Sequence, residues 1–421
     1  MKAKFFLLFT LLISVDKLIA QRNCSTFKYQ QQQIKTDPSL AEKINAVEVF
    51  TRKQLSTFDN STLRSSQTSQ PGIIRIPVVV HILFHNSYDN ISDALVQSQL
   101  TALNRDFRRK NSDTVNTPAI FKSLAADCEI EFQLAKSDPQ GRFTDGIIRK
   151  YTPVQYWEAN DKVKFSSEMG DDAWDPKSYL NIWVCNLEQV AGYSSIMGGP
   201  ENKDGVVIGF SAFGILPGDI TYSKGRTTVH EVGHWLNLKH LWGDSDCGDD
   251  LVDDTPKQAN YNQGCPTGIR TSCGNAPNGD MYMNYMDFTN DACMNLFTKG
   301  QKSRMRALFA EGGIRNSFLT SKGLDESLLF GSPLPDDGPK WLYSQLYPNP
   351  ATSEMTLDLA YDIRWMGKLL TITNLQGQTV MQVSITSKYQ KLDISKLKSG
   401  MYFLTSRKGD GDFIKHKFIK L

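Results

Sequence analysis

Apolar residues recur along this chain with two periods, and the change from one to the other divides it. Ile73 to Phe84 is β-branched and apolar almost throughout, the pattern of a buried strand. From Ala94 to Lys110 the spacing turns helical, with Leu95, Leu100, Leu103 and Phe107 apolar and Arg105, Arg108 and Arg109 solvated. Strand-like runs follow at Glu129–Ala135, Tyr179–Leu187 and Gly205–Phe210. A helix is predicted to begin near Thr227, where Thr227 or Thr228 can cap its open amides. Gly243 to Asp280 is loop-like, dense in Asp, Gly, Asn and Pro, and helical spacing returns at Lys299 to Phe309 with Met305, Leu308 and Phe309 apolar. Residues 319–345, with Gly331, Pro333, Pro335 and Asp336-Asp337, read as a linker. Beyond it short alternating runs recur at Met355–Leu359, Leu369–Asn374, Thr379–Ile385, Met401–Ser406 and Ile414–Lys420. Turn signals at Gln376-Gly377 and Ser399-Gly400 separate them, which predicts a small all-β sandwich.

The N-terminus has a different character. Lys2 and Lys4 precede the apolar run Phe5 to Val15, and small Ala20 stands before Gln21, so residues 1–20 read as a secretory signal peptide. The run is too short to span a bilayer comfortably, and no later segment is apolar enough to try, so no transmembrane segment is expected in the mature chain. Residues 21–72 are polar and rich in Gln, Ser and Thr, and end at Pro71-Gly72. They read as a pro-segment that packs poorly by itself and has a flexible exit. The expected layout is signal peptide 1–20, pro-segment 21–72, main globular unit 73–318, linker 319–345 and β-sandwich 346–421.

Composition adds limits. At 421 residues and 40% hydrophobic, the chain can bury a sizeable core in two or three domains. Lys and Arg total 47 against 45 acidic residues, a near-balance that gives no electrostatic reason for nucleic acid or an anionic membrane as partner. Export means that the seven cysteines meet an oxidising compartment and ought to pair, leaving one over. Cys247, Cys265, Cys273 and Cys293 cluster in the loop-rich region. Cys128 and Cys185 lie in strand-like runs, where they bridge neighbouring strands or stay as buried thiols. Cys24 follows closely on the expected cleavage site.

The chemistry concentrates in residues 230–240, which hold three of the six histidines. His230 and His234, four apart on a helix, share one face and can grip one cation. Glu231 stands beside them, able to reach a metal-bound water but not to act as a third helical ligand. Catalytic zinc usually takes three protein ligands and keeps a fourth position for water. His240 can be that third ligand if the helix stops near Asn237, a residue that tolerates the left-handed conformation of a helix end. The pattern implies a zinc endopeptidase in which a zinc-bound water attacks the peptide bond with Glu231 as general base. A thiolate is also a strong zinc ligand, so Cys24 can occupy the water's position and keep a zymogen latent. The rival readings are a secreted adhesion or binding protein with structural zinc, which would need a fourth protein ligand, and an unrelated zinc hydrolase.

The histidine pattern together with Asn284-Tyr285-Met286-Asp287 resembles the metzincin clan of zinc peptidases. Over roughly residues 73–318 it is similar to the pappalysin family, through Asp253-Asp254-Thr255-Pro256, Asp291-Ala292-Cys293-Met294 and a closing helix at Thr298 to Met305. This resemblance implies an α+β metzincin fold, with a twisted five-stranded mixed sheet, a backing helix, an active-site helix and an irregular C-terminal half. It implies disulfides Cys247–Cys273 and Cys265–Cys293, one of three connectivities open to four cysteines. It further implies Met286 as a methionine turn beneath the metal. Structural calcium is implied too, with Asp250, Asp253 and Thr255 as candidate ligands, since clustered carboxylates and carbonyls suit that hard cation. A preference for cutting before Arg or Lys is part of the family picture, with Asp287 and Asp291 as candidates for an acidic primed pocket. Two positions depart from the family pattern: Asn237 replaces a glycine at the helix break, and Phe288 replaces a tyrosine whose hydroxyl serves the tetrahedral intermediate, a bond that Phe cannot donate.

The last 75 or so residues resemble the type IX secretion sorting domain of certain diderm bacteria. The matching pieces are Tyr347-Pro348-Asn349-Pro350, Asn374-Leu375-Gln376-Gly377-Gln378, Leu392 to Phe403 and the basic-apolar tail Lys417 to Leu421. That implies an immunoglobulin-like sandwich, export by the type IX machinery and a secreted or surface-attached protein. The alternative is a carbohydrate-binding or adhesive β module. The expected partners are protein or peptide substrates, and the expected state is a monomer.

Overall fold

The computed structural model describes residues 24–61, 72–218, 221–325, 344–359, 365, 367–387, 389–407 and 413–421. The expected signal peptide and most of the expected linker lie outside the described residues. The longest apolar run forms β1 (Ile74–Phe84), nearly all of it buried. On one edge β1 pairs in parallel first with β2 (Ile130–Leu134) and then with β3 (Ile147–Tyr151). On its other edge lie β4 (Leu180–Cys185) and β6 (Val206–Gly209), both parallel, and β5 (Gly192–Ser194) closes the sheet antiparallel to β6. Six strands thus fill five lanes, because β2 and β3 share one. This is the mixed sheet that the family resemblance implies.

The two faces of the sheet have different cores. Val78, Val80 and Ile82 join the main apolar cluster with α3 (Asp93–Phe107) and α5 (Arg226–Trp235). Ser92 caps α3, its side chain accepting from the Leu95 amide at 3.2 Å. Arg105 and Arg108 are not simply solvated as expected. Arg105 turns onto the buried Asp106, and Arg108 pairs with Asp127 and Glu131. The opposite face carries Leu83, Trp183, Cys185, Tyr193 and Val207. Cys128 and Cys185 are buried free thiols that belong to clusters on opposite faces, so the sheet keeps them apart.

Residues 26–61, expected to pack poorly by themselves, are helical and packed against the sheet. They form α1 (Thr26–Thr36) and α2 (Ser39–Ser61), and Tyr29 and Leu40 complete the cluster on the outer face, backed by Ile34 and Ile44. Their polar composition conceals a sparse apolar stripe that needs the sheet as its partner.

After the short helix α4 (Ala119–Lys122) and the strands above, residues 236–298 are irregular and braced by the disulfides Cys247–Cys273 and Cys265–Cys293, the connectivity that the resemblance implied. Helix α6 (Lys299–Ala307) follows, opened by a capping box between Thr298 and Gln301. The first residues of the expected linker instead pack on the sheet: Gly323 lies against Pro77 and Tyr179, and its carbonyl accepts from Lys136 N at 2.8 Å. The C-terminal region is all antiparallel. One sheet has the order β10 (Thr379–Ser384), β9 (Leu369–Asn374), β12 (Gly400–Arg407), β13 (Phe413–Lys420), and the other β11 (Tyr389–Asp393), β8 (Glu354–Asp358), β7 (Gln345–Tyr347). Met355, Leu357, Leu370, Ile372, Leu404 and Phe418 form its own core. Among the described residues no helix is long and apolar enough to cross a membrane.

Candidate active site

Helix α5 is buried along its whole length and carries His230, Glu231 and His234. Its start differs from the expectation: Thr227 and Thr228 lie inside the helix, and the N-cap is Gly225 at φ 72°. The amides of Lys224 and Arg226 donate instead to a carboxylate distant in sequence, Asp291 Oδ2, at 2.9 and 3.0 Å. Its end follows the expectation. Asn237 is left-handed at φ 67°. Its amide donates to His234 O at 2.9 Å and that of Leu238 to Gly233 O at 3.0 Å, a Schellman turn. The reversal brings His240 back over the helix.

The three imidazoles meet at their Nε2 atoms, 3.2 Å apart for His230 and His240 and 3.1 Å for each of the other pairs. Each Nδ1 is committed elsewhere: His230 to Tyr285 O at 2.7 Å, His234 to Leu238 O at 2.9 Å and His240 to Asp244 Oδ1 at 2.5 Å. A carbonyl or carboxylate oxygen accepts, so Nδ1 carries the proton and the three Nε2 atoms face one another as bare lone pairs. Burial, with His240 beside it, pushes His234 down to about 3 and keeps it neutral. Three such lone pairs repel unless a cation lies among them. Tetrahedral zinc with nitrogens at 2.0–2.1 Å would set them about 3.3 Å apart, close to what is found. The donor set fits that metal.

Cys24 closes the fourth side. Its Sγ lies 3.6 Å from His234 Nε2 and 3.6 Å from Glu231 Oε2, and it groups with the three histidines as a metal-binding set. A sulfur at 2.3 Å and a nitrogen at 2.0–2.1 Å on one zinc would lie about 3.6 Å apart. Burial and the Glu231 carboxylate raise the pKa of the thiol, which is the reverse of what a cation would do. Thr26 Oγ1 donates to Glu231 Oε2 at 2.8 Å and accepts from Ser194 N of β5 at 2.9 Å. Gly192 leaves room for the carboxylate, since a Cβ there would stand 3.0 Å from Glu231 Cγ.

The site's surroundings are apolar and aromatic. Met286 is fully buried against α5, its sulfur where a side chain at Gly233 would stand, and its amide is held by Asn284 Oδ1 at 2.9 Å. Trp242 stacks flat on His240 with ring centroids 4.4 Å apart, and Phe288 meets His240 edge-on at 4.9 Å. Asp244 and Trp242 are site residues that the sequence did not single out, and Tyr285 entered only as part of the motif around Met286. The only signal for Asp244 is its position four beyond His240.

The remaining candidates separate. Asp287 is fully buried and accepts from Asn262 N at 2.7 Å, Asn262 Nδ2 at 2.9 Å and Gln258 Nε2 at 3.1 Å. Burial pushes its pKa up to about 6. Asp291 is equally buried and turned to the start of α5, where its Oδ2 holds the Lys224 and Arg226 amides. Asp250 accepts from Thr255 Oγ1 at 2.8 Å, and burial pushes its pKa up to about 7.

Residues 164–310 match the peptidase M43 family described as pregnancy-associated plasma protein-A, and residues 345–420 match a secretion system C-terminal sorting domain. An extracellular metalloprotease of Pyricularia oryzae is 31% identical over 276 residues, covering 64% of this chain and 86% of its own. One from Arthroderma benhamiae is 26% identical over 288 residues, covering 65% and 85%. Among solved structures, a mutant of Tannerella forsythia promirolysin is 44% identical over 71% of this chain and 97% of its own, with a TM-score of 0.64. Mirolysin in complex with a compound is 48% identical over 61% and 99%, with a TM-score of 0.59.

Proposed function

The chain belongs to the pregnancy-associated plasma protein-A peptidase family and is a secreted or cell-surface metalloprotease exported by the type IX system; on that footing we propose that it is a zinc endopeptidase held latent by Cys24. The observation that carries the reading is the convergence of three bare Nε2 atoms beside the Glu231 carboxylate. Zinc held by His230, His234 and His240 would supply a Lewis acid that brings the acidity of water toward neutrality and polarises a carbonyl. Glu231 takes the proton of the attacking water and returns it to the leaving amine. Met286 packs against α5 at Gly233, and Phe288 supplies shape but no proton.

In the zymogen the sulfur of Cys24 takes the open coordination side, and Thr26 occupies an oxygen of the base, so both reactive elements are covered by one tripeptide. The division into signal peptide 1–20, pro-segment 21–72, catalytic unit 73–318, linker 319–345 and sorting domain 346–421 belongs to the same proposal, with the packed residues of the catalytic unit running on to Gly323. A preference for Arg or Lys on the primed side rests on Asp287, whose oxygens meet only neutral donors, so an arriving cation supplies the missing charge. Calcium at Asp250, Asp253 and Thr255 belongs to the same proposal, and the geometry in its favour is the approach of Thr255 Oγ1 to Asp250 at 2.8 Å.

Cys24 also allows a rival, a closed structural site of three histidines and a cysteine, and one experiment separates the two. The full chain is compared before and after removal of its first 72 residues, for zinc content and casein hydrolysis. The proteolysed form should cut casein, lose activity to a chelator and regain it with zinc, while calcium restores only its melting temperature. Glu231→Gln should keep the zinc and lose on the order of 10²–10⁴-fold in rate, and Cys24→Ser should give the uncut chain measurable activity. A processed chain physically freed of residues 1–72 that holds one zinc yet cuts nothing would establish the structural site instead.

A further inference from the structure

Apart from Cys24 and Thr26, residues 24–61 engage two buried charges of the rest of the chain, Asp161 and Arg304, and neither contact touches the histidines. On the outer face of the sheet, the hydroxyl of Tyr29 donates to Asp161 Oδ2 at 2.6 Å. That pocket is built by the catalytic unit itself. Asp161 and Lys164 are almost wholly inaccessible and paired at 2.9 Å, and Lys203 adds a second cation at 3.2 Å. The Tyr29 ring lies 5.0 Å from Tyr193 by centroid, and the Lys164 ammonium stands over the rings of Tyr29, Trp183 and Tyr193. With two cations already on Asp161, the pocket suits a neutral phenol donor and has no need of another charge.

The second contact lies near the end of α5. Arg304 of α6 is fully buried, donates to Asn237 O at 2.6 Å, and its guanidinium forks onto the carboxylate of Glu48 in α2, at 2.9 Å for the Nη1 arm. Beside it, Asn237 Nδ2 donates to Thr51 Oγ1 at 3.2 Å. Removing Glu48 would leave a buried guanidinium without its counter-ion, which is strongly unfavourable.

We infer that the catalytic unit carries a docking surface for its own pro-segment, made of the Asp161 phenol pocket and the Arg304 guanidinium, which holds residues 24–61 by Tyr29 and Glu48 independently of Cys24. Binding and blocking are then divided between different atoms: the two anchors hold the segment, and Cys24 with Thr26 covers the site. Cutting the chain between residues 61 and 72 therefore does not by itself release the segment, which stays as a non-covalent inhibitor. Only this inhibitory consequence rests on the latency reading above; the docking does not.

The test uses the full chain with a specific protease site placed between residues 61 and 72. After cutting, retention of the segment is followed by size exclusion, and its dissociation rate is measured on dilution. The cut parent and cut Cys24→Ser should both retain the segment, with rates within a few-fold of each other. Tyr29→Phe, which removes one oxygen, should speed release on the order of tenfold or more, as loss of a bond to a charged partner does. Glu48→Gln should do likewise, and the pair together should elute without the segment. Melting of each uncut chain confirms that it is folded; should the double variant fail that check, the single variants decide. Release from Cys24→Ser at the moment of cutting, or parent-like rates in both Tyr29→Phe and Glu48→Gln, would overturn the inference. A segment that is retained but does not inhibit would sink the latency reading and leave the docking surface intact.

Discussion

Each imidazole of the site is aimed by what holds its other nitrogen. Tyr285 O, Leu238 O and Asp244 fix the three Nδ1 protons, and this turns the three Nε2 lone pairs toward one another, where a cation fits. Asp287 shows the opposite economy, a buried carboxylate surrounded by neutral donors with its pKa pushed up to about 6. Because this lies above the value of about 3.9 for an unfolded aspartate, its contribution to stability is fully present below that value and is lost as pH rises through about 6. For substrates the sign is reversed, since the group attracts a basic side chain only once it is charged. The ratio of kcat/KM for peptides with Arg against norleucine after the scissile bond should climb between pH 5 and 7, and Asp287→Asn should flatten it. A ratio that ignores pH in the parent would remove Asp287 from specificity.

Helix α5 works as a unit because both its ends are set from outside its own sequence. Asp291 takes the amides at its start, and Asn237 ends it with a left-handed turn that swings His240 back. Its underside meets the methionine turn so closely that a Cβ at Gly233 would stand 2.5 Å from Met286 Sδ. Gly233→Ala should therefore cost about 1–3 kcal/mol by overpacking and shift Met286 against the histidines. A lower melting temperature and reduced kcat check this, and unchanged values for both would show that the turn yields freely. The helix and its end were legible in the residues themselves, through the four-residue histidine spacing and the conformational tolerance of Asn237. Its start was not, because the cap comes from a carboxylate some 65 positions away. The same limit hid α1 and α2, whose apolar stripe becomes a face only against Tyr193 and Trp183. β3, β5, β7 and β11 also escaped, being short runs with little alternation of their own.

At the scale of the molecule, the protease and the C-terminal sandwich have separate apolar cores, one around β1 and the active-site helix, the other around Leu357 and Leu404. A chain ended at Asp325 should keep kcat/KM within about twofold after processing, because surface removed outside a core is worth little to it. Expressed in a host with the type IX system, the same truncation should stay inside the cell. Loss of folding on truncation would mean that the sandwich braces the protease.

The residue order alone determined the sorting-domain motifs, the alternation of the sandwich, the buried central strand and the three histidines with their glutamate, since each of these depends on neighbours within a few positions. Tertiary structure alone decided that β2 and β3 share one lane, that Asp291 serves a helix while Asp287 meets only neutral groups, and that Cys24 reaches the histidines more than two hundred residues away. It also decided where Tyr29 and Glu48 find their partners. Periodicity is a local property that a linear reading can see. Burial, counter-charge and the convergence of lone pairs are properties of chain segments brought together by the sheet, and they come into being only when it forms.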